Sequence, residues 1–526
     1  MTAESASGSP LPAVTPAVQS DLERYIDRLL MPEVTLRPAD VGFLAVAALG
    51  LGILLDALFR AGHLGINLPI WLASVAAVVA YATRRCAPGT ARSRLLPFAG
   101  AVVMAAGAAW RDSPILQLLN LLGAIGLLGV GMGLPEAASL RRLSPTSFLV
   151  AAARAGSGFL TSELRLGMRV PWGTHVHLRG STRSRSIARG VLIALPLFAV
   201  FAALFASADA VFAEAFGRLF QFDVSGVVPH VAWVLFGLWI ATAVLWNVVG
   251  VVPPADADIE VPARHRLKRT EMTIILGSLT VLFLAFVGVQ VRYLFGGEDV
   301  VQHSVNLTYA EYGRRGFFEL VAASLLLLGV LATANWAREQ DAAATRLFLA
   351  LSAALTALVF VIMVSAWQRL GLYREVFGLT ELRFYTAATL PWIGVTLLWF
   401  LVTVALNRPR EFCSGAVASA LLMGILLNAV NPDSIIAATN ATRADFGKEF
   451  DAQYVTTLSA DAVPALLDRL ASVPAASQCP VATAILDHAE GDHDVRSWNY
   501  SREHARALIA ANRPALAGAC LAAPGR

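Results

Sequence analysis

Two short segments of the chain combine charged and aromatic side chains beside long apolar runs. The first covers residues 303–320 and reads HSVNLTYAEYGRRGFFEL. Glu319 lies one turn into the following apolar run and has Arg315 four residues before it, a spacing at which helical side chains pair. Because an ionisable residue near a membrane core is a functional candidate, this segment predicts a polar site at the mouth of a helix bundle. The residues that would form it are Tyr309, Glu311, Tyr312, Arg314, Arg315 and Glu319.

The second segment covers residues 367–385 and reads WQRLGLYREVFGLTELRFY. We expect it to form the next loop on the same face, so that both segments contribute to one outer-face polar site. Its charged and aromatic members are Tyr373, Arg374, Glu375, Glu381 and Arg383. A structural alternative fits both segments at least as well. In it they are salt-bridged interfacial helices, whose aromatic rings and arginines lie at the level of the lipid headgroups.

Common enzyme signatures are missing from the sequence. It contains no P-loop, no GxSxG nucleophile motif, no HExxH zinc motif and no CxxC pair. We therefore predict no catalytic residue, no cofactor and no metal ion. Enzymatic activity is disfavoured, although the sequence leaves it open.

Long apolar helices must position these segments. Hydrophobic residues make up 56% of the 526 residues and charged residues only 15%, where soluble chains carry about 25%. A helix that crosses the hydrocarbon core needs roughly 20 mostly apolar residues. Eleven runs approach that length, so the sequence predicts an all-α, polytopic transmembrane bundle. They are 41–59, 66–83, 95–110, 114–134, 190–212, 228–251, 272–294, 316–336, 345–366, 386–406 and 414–430.

The placement of arginine predicts the orientation of the bundle. Most basic residues fall in loops that are cytoplasmic if the N-terminus is, as the positive-inside rule requires. Membrane orientation thus accounts for the net charge of +4, and we expect no nucleic-acid partner. The predicted parts are a cytoplasmic N-terminal segment (1–40), a transmembrane domain (41–430) with a basic cytoplasmic loop (135–189), and a small, helical extracytoplasmic domain (431–526).

Cysteine usage agrees with this topology. Cys86 and Cys413 fall in predicted cytoplasmic loops, where thiols stay reduced. Cys479 and Cys520 fall in the C-terminal tail, where an oxidising compartment permits a disulfide. We predict a bond between Cys479 and Cys520, although sequence spacing alone does not establish its geometry.

Several segments resemble recurring sequences of the bacterial membrane-protein families called domain of unknown function 4153 and 4173. They are RGVLIALPLFAVFAALFASADAVF (189–212), LTYAEYGRRGFFEL (307–320), YREVFGLTELRFYTAATLPWIGVTLLWF (373–400), NPDSIIAATN (431–440), LSADAVPALL (458–467) and VRSWNYSR (495–502). The resemblance covers about residues 110–510. It implies a multi-pass protein of the bacterial inner membrane with an extracytoplasmic C-terminal extension, and it implies no activity.

Three classes of function stay open, in decreasing order of support. The first is a non-enzymatic sensory or scaffolding component of the bacterial envelope, which binds an envelope protein or another ligand at its outer face. The second is a transporter or flippase-like protein for an apolar or lipid substrate. The predicted midplanes hold almost no ionisable residues, which counts against ion-coupled transport but not against passage of such a substrate. The third is a membrane enzyme that acts on lipid or cell-wall precursors. In each case the lipid bilayer is a partner.

Overall fold

The computed structural model describes most of the chain. The described residues are 36–60, 62–86, 95–133, 144–169, 227–250, 266–295, 317–339, 341–490 and 494–521, with isolated positions between 190 and 212. Within these ranges every regular element is a helix, which confirms the predicted all-α class.

Eleven of the described helices form or flank the membrane bundle. They are α1 (Pro38–Phe59), α2 (Asn67–Cys86), α3 (Leu96–Trp110), α4 (Pro114–Gly133), α5 (Pro145–Arg169), α6 (Val227–Leu245, continued by the π-helical turn Trp246–Gly250), α7 (Arg269–Phe295), α8 (Phe317–Ala337), α9 (Ala342–Phe377), α10 (Glu381–Ala405) and α11 (Phe412–Val430).

Eight of these helices are long and apolar enough to cross a membrane, namely α1, α4 and α6 to α11. Each of the eight coincides with a predicted span, so the chain is a polytopic membrane protein. The predicted spans 66–83 and 95–110 correspond to α2 and to the 15-residue helix α3, which fall outside the eight. The predicted span 190–212 lies almost wholly outside the described residues.

The predicted basic loop 135–189 contains a helix of 25 residues, α5. This helix packs against α4, where a Cβ added to Gly133 would collide with the backbone of Ala151. It also packs against α6, where the indole N–H of Trp239 donates to the carbonyl of Phe159 at 2.7 Å. One portion of the predicted loop, helix α5, therefore belongs to the bundle.

Small residues bring the spans close together. A Cβ added to Gly52 of α1 would lie 2.6 Å from the carbonyl oxygen of Val234 in α6, and one on Gly237 would lie 2.9 Å from the Cα of Gly52. Small residues permit such backbone contact between membrane helices. The same crossing places Asp56 of α1 against His230 of α6, with 2.9 Å between Oδ1 and Nδ1.

Two apolar clusters fill the bundle. The first joins α1 to α4 with α6 and includes Leu44 and Phe98. The second joins α7 to α11 and includes Phe348 and Leu397. Side chains of α11 also pack against the first cluster, so this helix connects the two halves.

The segment 367–385 differs from the predicted loop. α9 has 36 residues and continues through Phe377; at 1.5 Å per residue it is about 54 Å long, well beyond a ~30 Å hydrocarbon core. Charged residues are compatible with a helix once it has left that core. The connection to α10 is only residues 378–380, because Thr380 caps α10 by accepting from the N–H of Arg383.

Five further described α-helices follow the bundle, and with their connections we call them the C-terminal segment (residues 432–521). They are α12 (Pro432–Asp445), α13 (Ala452–Val455), α14 (Val463–Asp468), α15 (Ala475–Asp487) and α16 (Tyr500–Leu521). They enclose an apolar cluster that includes Ile436, Val463 and Ile509. A disulfide joins Cys479 of α15 to Cys520 of α16, whose Cα atoms are 4.3 Å apart.

Candidate functional site at the junction of the bundle and the C-terminal segment

The C-terminal segment lies on one end of the bundle, which we call the tail face. This end is formed by the α1–α2 turn (60 and 62–66), the α3–α4 turn (111–113), the α9–α10 turn (378–380) and the end of α11 (428–431). Residues distant in sequence meet there, and the hydrogen-bonded pair Arg111 and Asp461 is separated by 350 positions.

Asp461 lies at the centre of these contacts and is only 1% exposed. Its Oδ2 accepts hydrogen bonds from the backbone N–H groups of Asp112 at 2.7 Å and Ser113 at 2.8 Å. Its Oδ1 accepts from the Ser501 hydroxyl and from the Arg111 guanidinium, the latter at 3.4 Å. One carboxylate thus holds the α3–α4 turn to the C-terminal segment.

A second buried carboxylate, Asp433 of α12, lies beside the first. The Ser459 hydroxyl donates to Oδ2 of Asp433 at 2.6 Å and lies 3.4 Å from Oδ2 of Asp461. Asp433 is fully buried, its Oδ1 has no hydrogen-bond partner, and no cationic side chain pairs with it within the described ranges. Burial, with the adjacent charge of Asp461, raises the pKa of Asp433.

The other charges at this junction are paired across it. Arg111 neutralises Asp461, and Arg502 of α16 lies 3.1 Å from Asp112. Arg502 also donates to the carbonyl of Leu64 at 2.8 Å, so its guanidinium joins the α1–α2 turn to the α3–α4 turn. We call the residues that share these contacts the junction cluster: Arg111, Asp112, Ser113, Asp433, Ser459, Asp461, Asn499, Ser501 and Arg502.

The junction cluster also satisfies the end of α3. The last carbonyls of a helix have no intrahelical partner, and here side chains of the C-terminal segment supply the donors. The amide of Asn499 donates to the carbonyls of Ala108 and Arg111, both at 2.9 Å. The hydroxyl of Ser501 lies 3.0 Å from the carbonyl oxygen of Trp110, so its single proton is shared between this carbonyl and Asp461. The C-terminal segment therefore caps the apolar helix α3.

The α1–α2 side of the tail face is held in a similar way. Arg496 donates to the carbonyl of Ala57 at 3.0 Å and is itself held by Asp494. The hydrogen bonds from Arg496 lower the pKa of Asp494 to about 2. The N–H of Ile66 donates to the carbonyl of Trp498 at 2.9 Å, which adds a direct backbone contact.

Two side chains of α12 hold the α9–α10 turn. The amide of Asn440 binds Leu379 on both sides of its backbone, accepting from the N–H and donating to the carbonyl, each at 2.8 Å. Arg443 donates to the carbonyl of Glu375 at 2.9 Å. Gly378 lies between them with a positive φ of 76°, and a Cβ there would meet both α12 side chains, so this position requires glycine.

The tyrosine of α13 completes this contact. The Tyr454 hydroxyl accepts from the N–H of Glu381 at 2.7 Å. Burial raises the pKa of Tyr454 to about 12, so the hydroxyl keeps its proton at neutral pH. The first turn of α10 is therefore fixed to the C-terminal segment as well.

The predicted outer-face residues on α9 and α10 are only partly brought together. The guanidinium of Arg383 lies 4.1 Å from the ring centre of Tyr373 and donates to the carbonyl of Phe377 at 2.8 Å. Arg374 lies over a tryptophan of its own helix. The described contacts contain no ion pair from Glu375 or Glu381, so this region is a cation–π contact at the end of α9.

The other predicted residues cannot be placed beside them. Tyr309, Glu311, Tyr312, Arg314 and Arg315 lie outside the described residues. Glu319 belongs to the first turn of α8, and its side chain also lies outside the described part. The joint outer-face site therefore stays a prediction.

Sequence reasoning missed the junction cluster. Its tail members lie in three of the segments that carry the family resemblance, NPDSIIAATN, LSADAVPALL and VRSWNYSR. Those segments were a usable signal, because each places a short polar side chain or arginine next to apolar residues. The Arg111–Asp112–Ser113 turn was visible only as a polar interruption between two apolar runs.

The junction cluster is suited to holding parts together. Most of its polar groups are engaged by partners within the protein, and its paired charges are neutralised locally. Within the part of the chain that the structure describes, no group of three His, Cys, Asp or Glu side chains is placed to hold a metal ion. Asp433 is the one member whose carboxylate oxygen is left open.

Fold and junction together define an integral membrane protein whose C-terminal helices are docked on one end of its spans. The chain belongs to the family of the domain of unknown function DUF4153, whose sequence profile matches residues 98–469. No curated protein and no solved structure matches the chain. The matched range begins in α3 and ends directly after α14, so it includes both Arg111 and Asp461.

Proposed function

We propose that this protein is a non-enzymatic scaffolding or sensory component of the bacterial inner membrane, with its C-terminal segment held outside the cytoplasm. One observation carries the proposal. At the tail face the C-terminal segment contacts three helix–helix turns and the end of α11 through polar groups. Asp461 joins the α3–α4 turn to Ser501 of α16. A ligand that moves the segment therefore also moves the spans.

The distribution of charge supports the orientation. The end of the bundle opposite the tail face carries many basic residues, as the cytoplasmic side of a membrane protein does. They are Arg37, Arg84, Arg85, Lys268, Arg269, Arg338, Arg346, Arg408 and Arg410. The disulfide of the C-terminal segment also suits an oxidising compartment outside the cytoplasm.

Thiol labelling in intact cells tests this orientation. In a chain whose Cys86 and Cys413 are replaced by serine, a Phe446→Cys variant exposes one thiol on the C-terminal segment, where residue 446 is 78% exposed. We expect a membrane-impermeant maleimide to label it without lysis. The matched control keeps Cys86 and Phe446, and it should be labelled only after lysis. The opposite pattern would place the C-terminal segment in the cytoplasm.

The scaffolding role needs a second measurement. A photocrosslinking residue at position 446 should form adducts with an extracytoplasmic protein, and Asp461→Asn should abolish those adducts at equal protein level. A crosslinker at Val46, an exposed position in the middle of α1, is the control for nonspecific membrane neighbours. Equal adducts from both positions, or none from 446, would contradict the proposal.

A further inference from the structure

A short stretch of the C-terminal segment exposes apolar and aromatic side chains beside the spans. Val495 is 80% exposed, Trp498 is 41% exposed and Tyr500 is 48% exposed. Their neighbours Ser497 and Asn499 are buried at 4% and 2%. The stretch therefore presents one face to the protein and a second, aromatic face away from it.

This stretch is fixed rather than free to fold inward. The buried amide of Asn499 donates to the carbonyl of Ala108 near the end of α3. The hydroxyl of Ser497 is held by the carbonyl of Asp494 at 2.9 Å. Because the inward positions are occupied by these bonds, Trp498 and Tyr500 cannot turn toward the core without breaking them.

The contacts of the stretch also set its depth. The carbonyl of Trp498 accepts from the N–H of Ile66, the residue directly before α2. Arg496 reaches Ala57 in the last turn of α1. The contact with Ala57 lies in the last turn of the span α1, and the contact with Ile66 lies directly before the helix that follows this span. The stretch therefore lies near the level where hydrocarbon meets water.

The neighbouring apolar helices α2 and α3 also expose apolar residues near this level. Ile70, one turn into α2, is 42% exposed, and Trp110, the last residue of α3, is 40% exposed. In a membrane protein such outward side chains are covered by lipid. Trp and Tyr favour the interface between hydrocarbon and water, so the exposed face of 495–500 has the chemistry to meet the same lipid.

We propose that residues 495–500 bind the interface of the lipid leaflet at the tail face, with Trp498 and Tyr500 among the headgroups and Val495 at the boundary of the acyl chains. The C-terminal segment is then anchored to lipid as well as to the bundle. This proposal is independent of the proposed function and of which side of the membrane the tail face occupies.

Site-directed spin labelling tests the proposal in the full chain. Val495→Cys and Tyr500→Cys are introduced separately after replacement of Cys86 and Cys413 by serine, and each protein is reconstituted in vesicles of phosphatidylethanolamine and phosphatidylglycerol. Collisions of the nitroxide with oxygen report lipid, and collisions with a water-soluble nickel chelate report water. References are Val46→Cys in a span and Phe446→Cys on the C-terminal segment, which are 72% and 78% exposed.

We expect labels at 495 and 500 to show a several-fold loss of nickel collisions relative to 446, with oxygen collisions approaching those at 46. A profile equal to that of 446 at both positions would overturn the proposal. Quenching by brominated lipid supplies a second readout that needs no cysteine. Trp498→Phe should remove part of the quenched tryptophan emission, and unchanged quenching would also overturn the proposal.

Discussion

The α1–α6 crossing and the junction cluster hold the molecule together by opposite means. At the crossing, Gly52 and Gly237 let two backbones touch, and the contact is one of shape. At the junction, Asp461 collects two backbone N–H groups, a hydroxyl and a guanidinium. Within lipid, burial of apolar surface gives little driving force for association, so close packing of the helices supplies much of the stabilisation. At the membrane surface, buried polar pairs can specify one docked arrangement, and they fail severely when one partner is removed.

The largest expected effect comes from the junction. Asp461→Ala leaves two backbone N–H groups without their acceptor and leaves the buried Arg111 guanidinium without its counter-charge, with only the carbonyl of Asn428 as acceptor among the described residues. Breaking a buried pair in this way costs about 3–5 kcal/mol. The free energy of unfolding of the C-terminal segment, measured by native-state hydrogen exchange, should fall by that amount. Asp468→Ala, on the exposed Asp468 of the neighbouring α14, is the matched control and should change it by less than about 0.5 kcal/mol. Equal effects from both variants would contradict the claim that Asp461 stabilises the docked C-terminal segment.

Overpacking tests the other side of the comparison. Gly52→Leu forces a side chain into a space where even a Cβ lies 2.6 Å from a carbonyl, and such overpacking costs about 1–3 kcal/mol. Thermal unfolding in detergent should show this loss. Gly50→Leu, two residues away, is the control, because nothing lies within 4 Å of a Cβ there. If both variants unfold at the same temperature, α1 and α6 do not approach as described.

A smaller loss of stability is expected when a side-chain hydrogen bond between two spans is removed. Asn120 of α4 and Asn428 of α11 exchange amide hydrogen bonds at 3.0 and 2.8 Å. Hydrogen bonds between membrane helices contribute about 0.6–1.7 kcal/mol, so Asn428→Leu should destabilise the bundle by that amount. A double variant with Asn120→Leu should lose less than the sum of the two single variants. Strict additivity in this double-mutant cycle would show that the amides do not interact.

The smallest effect should be a pH dependence at Asp433. Its pKa is raised above the ordinary 3.8 by burial, so the docked state holds the proton more tightly than the undocked state. The contribution of this group is therefore complete below the ordinary pKa and is lost as the pH rises through the docked-state pKa. Asp433→Asn, which mimics the protonated acid, should dock well and flatten this part of the pH profile. If the pH dependence of docking is unchanged in Asp433→Asn, another titrating group causes it.

The spans of the bundle were predictable because the apolar composition that places a helix in a membrane can be read from each segment alone. Runs such as 345–366 contain enough apolar residues to cross a membrane, and this property does not depend on which helices pack against them. The length of α9 was not predictable in the same way. Its charged continuation after Ser365 and Ala366 is equally typical of a loop. The helix ends at Gly378, which has a positive φ, and Asn440 and Arg443 of α12 hold that end in place.

The junction cluster was beyond prediction from the residues alone, because its partners are far apart in the chain. Nothing in the spacing of Asp461 and Arg111 indicates a contact across 350 positions. The predicted outer-face site was based instead on dense clusters of charged residues, and such clusters are typical of exposed segments. Isolated polar residues between apolar ones, as in LSADAVPALL, indicate buried polar contacts more reliably in this chain.

The most direct test of the docked arrangement is hydrogen exchange at three loop amides in the full chain reconstituted in vesicles. The N–H groups of Asp112 and Ser113 donate to Asp461, and that of Ile66 donates to the carbonyl of Trp498. We predict that all three are protected in the wild type and that Asp461→Asn releases Asp112 and Ser113, while amides within α1 and α6 keep their protection. Exchange of all three in the wild type at the rate of free loop amides would contradict docking of the C-terminal segment on the bundle.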